Sequence, residues 1–263
     1  MTNEEAIKDL RSSDSLFVAW SRTTNLPYVT CDEESFNDQV WIFRREEDVK
    51  EFGKSEAEKK NPIIAMKYER KNYPQLYGLL HAIGVNAVVY QDGKGSVEVE
   101  LDDIAKQQDI SKLPPEKRPL INPTLQLSGI YFMQEMRRPV PMEQKKGLRD
   151  LEEEVLANLM RSEFLLAVMP DPNDPKKLNM AGIRTKDGKT MQPLFSDVLE
   201  FGKFARGKKM GMVKVPFEKI AATAIKNAEG YVLNPLGYNI TFNKPNFEKL
   251  IEVKTKQMKT PEN

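Results

Sequence analysis

Short apolar runs and amphipathic stretches alternate along this chain, and the same alternation occurs twice. SLFVAW (Ser15 to Trp20) is almost wholly apolar, as expected of a strand covered on both faces. FLLAVM (Phe164 to Met169) repeats that character 149 residues later. A helical pattern precedes each run: Ala6, Ile7 and Leu10 in the first case, Leu148, Leu151, Val155, Leu156 and Leu159 in the second. Two nearly identical phrases follow, DVKEFGK from Asp48 and DVLEFGK from Asp197, again 149 residues apart and differing at one position of seven.

The correspondence continues downstream. PIIAMKY (Pro62 to Tyr68) faces MGMVKV (Met210 to Val215). Tyr73, Leu76, Tyr77, Leu80 and Gly84 then predict a helix, and Phe217, Ile220, Ala221, Ala224 and Ala228 repeat the spacing 144 residues later. Strands are expected at NAVVYQDG (Asn86 to Gly93) and GYVLNPLG (Gly230 to Gly237). A final pair is expected at SVEVELDDI (Ser96 to Ile104) and YNITFNKPNFEKL (Tyr238 to Leu250). The pattern reads as one module spelled twice, its offset drifting where the loops of the first copy are longer. The fold class expected is α+β: two similar modules, each a small mixed sheet packed against helices, related by internal duplication. The first spans residues 1–110 and the second 148–263. Residues 111–147 read as a proline-rich linker, with Pro114, Pro115, Pro119 and Pro123, plus a connecting strand over Thr124 to Pro141.

Composition narrows the partners. The chain has 263 residues, 40% hydrophobic and 30% charged, with a net charge of +1. No apolar run approaches the roughly 20 residues that cross a bilayer, and near-neutral charge gives no general attraction to nucleic acid or acidic membranes. The single cysteine, Cys31, excludes an internal disulfide and suits a reducing compartment. With the polar, acidic N-terminus, this leads to an expected cytoplasmic location, with neither nucleic acid nor membrane as partner.

No catalytic constellation emerges. His81 is the only histidine, and the repeat sets it opposite Ile225, as a histidine at the edge of a core. Cys31 ends a predicted strand and reads as a small apolar residue. One cysteine and one histidine cannot build a structural zinc site. Glu98, Glu100 and Asp102 would share one strand face, which Val97, Val99 and Leu101 mark as the wet face. DPNDP (Asp171 to Pro175) reads as a loop. GKGS (Gly93 to Ser96) and KDGKT (Lys186 to Thr190) read as hairpin turns, and FARGKKMGM (Phe204 to Met212) has the wrong helix-to-strand order for a phosphate loop. No cofactor or metal is expected. Trp20 and Trp41 stand out among the aromatics, Trp41 facing Pro193 in the other copy. They are candidates for packing between the modules or for binding a peptide or protein.

MQPLFSDVLEFGKF (Met191 to Phe204), after FLLAV, resembles the SseB family signature, as does GYVLNPLGYNITF (Gly230 to Phe242) with its Asn-Pro-x-Gly turn. The resemblance covers most of Leu148 to Val253 and, more weakly but in register, Asn3 to Ile104. The chain thus looks like a bacterial protein with two SseB N-terminal-like domains in tandem. The family takes its name from enhanced serine sensitivity and has no established molecular activity, so no catalytic residue carries over. The resemblance adds Asn234, Pro235 and Gly237 as candidate binding residues, in a turn that the first copy replaces with VYQDGKG. The reading is of a non-enzymatic protein-binding or adaptor protein. Alternatives are a small-molecule sensor or enzyme linked to amino-acid metabolism, and a secretion-associated or toxin-immunity component.

Overall fold

The computed structural model describes residues 1–107, 109–171, 173–174 and 177–259. The fold is α+β. The chain divides into two compact units, residues 1–117 with 126–151, and residues 118–125 with those from 152 onward.

The first unit opens with α1 (Asn3–Ser12), held by a capping box in which Thr2 and Glu5 each accept the other's backbone N–H. There follow β1 (Ser15–Ser21), β2 (Leu26–Pro27), β3 (Val29–Cys31), β4 (Asp38–Phe43), α2 (Glu46–Glu58), β5 (Ile63–Glu69), α3 (Tyr73–Ala82), β6 (Ala87–Gln91), β7 (Ser96–Glu100) and the single turn α4 (Leu101–Ile104). One seven-stranded sheet runs β2-β1-β4-β6-β7, with β3 on β4 and β5 on β1. All its pairings are antiparallel except β4 with β6. That parallel pair sets Phe43 beside Gln91, so α2 and the β6–β7 turn leave the sheet from the same end. The expected face of α3 is buried, Tyr73, Leu76, Tyr77 and Leu80 included. The buried hydroxyls of Tyr73 and Tyr77 donate to the carbonyls of Ser13 and Leu10, which ties the end of α1 to α3. The expected strand from Ser96 stops at Glu100, where Leu101 and Ile104 turn inward together as one helical turn.

The strand expected over Thr124 to Pro141 is instead helix α5 (Pro123–Met136). Its buried positions Leu125, Ile130 and Met133, with Gln126 and Ser128, fit a helix as well as the partial alternation fitted a strand. Pro123 sits in the first turn, where a missing N–H does no harm. From Gln126 onward α5 belongs to the first unit. Tyr131 donates to Asp38 Oδ1 at 2.6 Å. Gln134 accepts from Val29 N at 3.2 Å and donates to Val29 O at 2.9 Å, occupying both backbone groups as a neighbouring strand would.

Helix α6 (Leu148–Arg161) leads into the second unit, which contains β8 (Glu163–Pro170), β9 (Leu178–Met180), β10 (Ile183–Arg184), β11 (Thr190–Leu194), α7 (Val198–Ala205), β12 (Gly211–Pro216), β13 (Gly230–Leu233), β14 (Ile240–Asn243) and α8 (Lys244–Lys259). Its strands form two sheets, β10-β11-β13-β14 and β12-β8-β9, joined by one bridge between Leu165 and Phe195. Pro172 and Pro175 of the DPNDP stretch lie outside the described residues. Three pairings recur from the first unit: β8 antiparallel to β12 as β1 is to β5, β11 parallel to β13 as β4 is to β6, and β13 antiparallel to β14 as β6 is to β7.

The helix expected from Phe217 to Ala228 is absent. Two isolated 3₁₀ turns, Phe217–Lys219 and Ala221–Thr223, stand there. Phe217 and Ile220 are buried, but Ala221 and Ala224 are only half-buried and offer little apolar area to hold a helix. The covering role falls to α8, where the sequence pattern had suggested a strand. Pro245 lies in its first turn, and Phe247 is fully buried against Phe217, Tyr231 and Phe242.

Candidate functional site

In each unit the C-terminal ends of the parallel pair, the N-terminus of the next helix and the loop after the second parallel strand meet. Open α/β sheets place ligands at such strand ends. The repeated phrase lies in that helix in both units, yet the two surroundings differ.

In the first unit the place is open. A cleft of about 470 Å³ is lined by Asp48, Glu51, Phe52 and Ser55 of α2 and by Gln91, Gly93, Gly95 and Ser96 of the β6–β7 hairpin. Phe52 stacks on Trp41, with ring centroids 4.7 Å apart and planes 24° apart, and also meets Phe43 and Tyr28. Trp41 is fixed by its Nε1–H, which donates to Thr30 Oγ1 at 3.1 Å. Arg45 holds Asp48 with two hydrogen bonds of 2.9 and 2.6 Å. The same guanidinium lies over Gly93, whose φ of +85° is a conformation that residues with a side chain rarely adopt, so this turn favours glycine. Glu51 points outward, 75% exposed, against an equally exposed Lys54.

In the second unit the place is closed. Asp197 caps α7 by accepting from Leu199 N and Glu200 N, and Ser196 Oγ donates to its other oxygen. Asn234, buried and left-handed at φ +48°, accepts from Ser196 N at 3.0 Å and donates to Ser196 Oγ at 2.8 Å. The glutamate matching Glu51, Glu200, has a side chain only 1% exposed, paired with Lys203. Gly237, 144 residues after Gly93, lies against it: a Cβ there would fall 2.7 Å from Glu200 Oε2. Oε2 has no hydrogen-bond partner among the described residues.

Burial pushes the Glu200 carboxyl above its ordinary range, although Lys203 opposes the shift. A folded value above the unfolded one means that this group's contribution to stability is full below the unfolded value. It is lost as pH rises through the folded value. Glu200→Gln is therefore expected to raise the melting temperature near pH 8 and to change it little near pH 4. Melting curves across that range check this; an equal shift at both ends would contradict the assignment.

The residues singled out from the sequence fall in separate places. Trp20, 9% exposed near the end of β1, lies near Tyr68. Trp41 backs the cleft. Asn234, Pro235 and Gly237 form the β13–β14 turn, with Asn234 and Gly237 buried and Pro235 half-buried. His81 bonds the Ala105 carbonyl at 2.7 Å. Cys31 is exposed at the end of β3; partial desolvation and the carboxylates of Asp38, Asp32 and Glu33 push its thiol up, away from a reactive thiolate. Asn37 Nδ2 bonds both Glu98 and Glu100, at 2.6 and 3.4 Å, while Asp102 lies in α4. No grouping of His, Cys, Asp and Glu among the described residues could hold a metal ion. Glu51, Phe52, Ser196 and Glu200 are the contributors missed from sequence, although three of the four lie inside the repeated phrases.

Residues 145–248, which include all of the closed arrangement, match the family model for the SseB protein N-terminal domain. This part of the chain is similar to the SseB N-terminal domain. Asn234 and Gly237 thus lie within the matched segment, buried in it, and the open cleft lies in the preceding unit. Two solved structures are similar to the chain. Tic22 from Plasmodium falciparum is 13% identical, covering 97% of this chain and 99% of that one, with a TM-score of 0.22. Anabaena Tic22 (protein transport) is 11% identical, covering 100% of both, with a TM-score of 0.21. No curated protein matches the chain. Among the described residues, no helix is long and apolar enough to cross a membrane.

Proposed function

We propose that this is a non-enzymatic protein-binding protein, with its first unit receiving part of a partner in the cleft between α2 and the β6–β7 hairpin. The observation that carries this reading is the open cleft itself, with Phe52 braced on Trp41 at its wall. Its volume lies within the range of ligand pockets, about 300–1,000 Å³, but small-molecule pockets are mostly enclosed and apolar. Here carboxylates, hydroxyls, an amide and glycine backbone surround one ring, which suits a side chain or loop of another protein. The common strand pairings and the shared phrase support descent of both units from one duplicated module. On that view the second copy filled the place with its own Glu200 and Asn234, and the first copy kept it open.

Ser55→Trp would fill the cleft, and Glu51→Lys would reverse its exposed charge. Both positions are at the surface, so the melting temperature should hardly change. In affinity purification from the source cells, a stoichiometric partner is expected with the unaltered chain and should fall about tenfold with either variant. An undiminished partner removes the cleft from the account. Stabilisation by a free amino acid or nucleotide would instead favour a small-molecule sensor, reaching about 2.7 kcal/mol at one hundred times its dissociation constant.

A further inference from the structure

The hairpin joining β3 to β4 presents an aromatic ring to solvent. Phe36 is 77% exposed, the highest value among the exposed large hydrophobic residues described. Its backbone is left-handed, at φ +57°. Glycine adopts that conformation freely, whereas a residue with a Cβ is strained there. Strained residues outside a core persist where something other than stability keeps them.

The turn is tightly bonded. Asp32 Oδ1 accepts from Glu34 N at 3.0 Å, Ser35 N at 2.7 Å and Ser35 Oγ at 3.0 Å. Phe36 N donates to Asp32 O at 3.0 Å, and Asp32 N to Asn37 O at 2.9 Å. The base is anchored as well. Asn37 accepts from Asn86 Nδ2 and donates to Glu98, while Asp38 N donates to Asn86 Oδ1. The backbone that carries the ring is therefore set before any partner arrives, which lowers the ordering entropy of binding.

The charged residues of the hairpin and of the strand it adjoins have one sign. Asp32, Glu33, Glu34 and Asp38 lie on the hairpin, and Glu98 and Glu100 adjoin it through Asn37. No lysine or arginine occurs between Thr23 and Phe43 or between Gly95 and Ala105. A negative field of this kind draws in a positive surface and repels an acidic bilayer.

We propose that the Asp32–Asn37 tip is a docking knob, with Phe36 entering an apolar pocket of a protein partner whose rim is basic. This deepens the protein-binding reading but uses a surface other than the cleft.

The test places a photo-cross-linking phenylalanine analogue at position 36 of the full chain in the source cells, with position 178 as an exposed control. The result expected is one protein cross-linked from position 36 and not from 178, through a segment carrying lysine or arginine around apolar residues. The purified pair should then weaken about tenfold with Phe36→Ser and with Glu33→Lys/Glu34→Lys, and weaken in raised salt. Phe36→Gly should lose binding while its melting temperature stays level or rises, separating docking from folding. A cross-link to lipid, to a second copy of this chain or to an acidic surface overturns the proposal. So do no cross-link and unchanged affinity in the variants. If Ser55→Trp abolishes binding and Phe36→Ser does not, the knob fails and the cleft stands; the reverse outcome leaves the knob and removes the cleft.

Discussion

Phe247→Ala is expected to destabilise the second unit by about 3–5 kcal/mol, as for other buried Phe truncations. The side chain is fully buried, with its ring 4.3 Å from that of Tyr231 and 5.3 Å from those of Phe217 and Phe242. Removing it leaves three rings facing a void, and Tyr231 and Phe242 lie on paired strands that cannot close over it without breaking their register. It also loosens α8 on the sheet it covers, leaving Ile251 as its other buried anchor. Phe247→Leu should lose roughly half as much, because most of the volume stays. Urea denaturation followed by far-ultraviolet circular dichroism measures both. A loss below about 1 kcal/mol for alanine would mean that α8 is not part of this core.

The second large effect is expected at Asn234. Its side chain satisfies two buried groups of Ser196, and its backbone is left-handed. Alanine there strands the Ser196 N–H, at about 1–3 kcal/mol. It also meets the left-handed penalty of about 1–2 kcal/mol that asparagine largely escapes. A total of about 3 kcal/mol follows. Asn234→Gly separates the two contributions: it loses the hydrogen bonds and keeps the backbone geometry, so it should be the milder change. If glycine is as damaging as alanine, the side-chain bonds carry the whole effect. If both are silent, this clamp does not hold the turn.

These two residues also show how far the sequence could be read. Asn234 was conspicuous because Asn-Pro-x-Gly marks a turn wherever it occurs. Its partner Ser196 lies 38 positions earlier, and nothing local announces that contact. Phe247 was hidden because Asn-Lys-Pro reads as the end of a strand as readily as the start of a helix. Strands such as β1 and β8, and the buried face of α3, were legible because one periodicity dominated each. Helix α5 was not, since Leu125 and Leu127 have the spacing of a strand and Leu127 and Ile130 that of a helix, and only tertiary packing decides between them. The segment after Phe217 failed differently. Its spacing copied α3, but alanines replaced the large side chains that hold α3 in place.

The cleft shows the same limit. Trp41 was identified from sequence, while Phe52 lay unnoticed within the repeated phrase that drew attention to α2. That phrase reports a shared backbone, and the identical glutamates Glu51 and Glu200 meet opposite surroundings through residues outside it. Phe36 left no trace at all, because an exposed ring on a turn has no periodicity.

One glutamine has a consequence beyond its own two hydrogen bonds. By taking up both backbone groups of Val29, Gln134 withholds them from any strand of another molecule. At Val29 the helix thereby guards the rim against runaway sheet growth into fibrils, the hazard that unpaired backbone carries in a crowded cell.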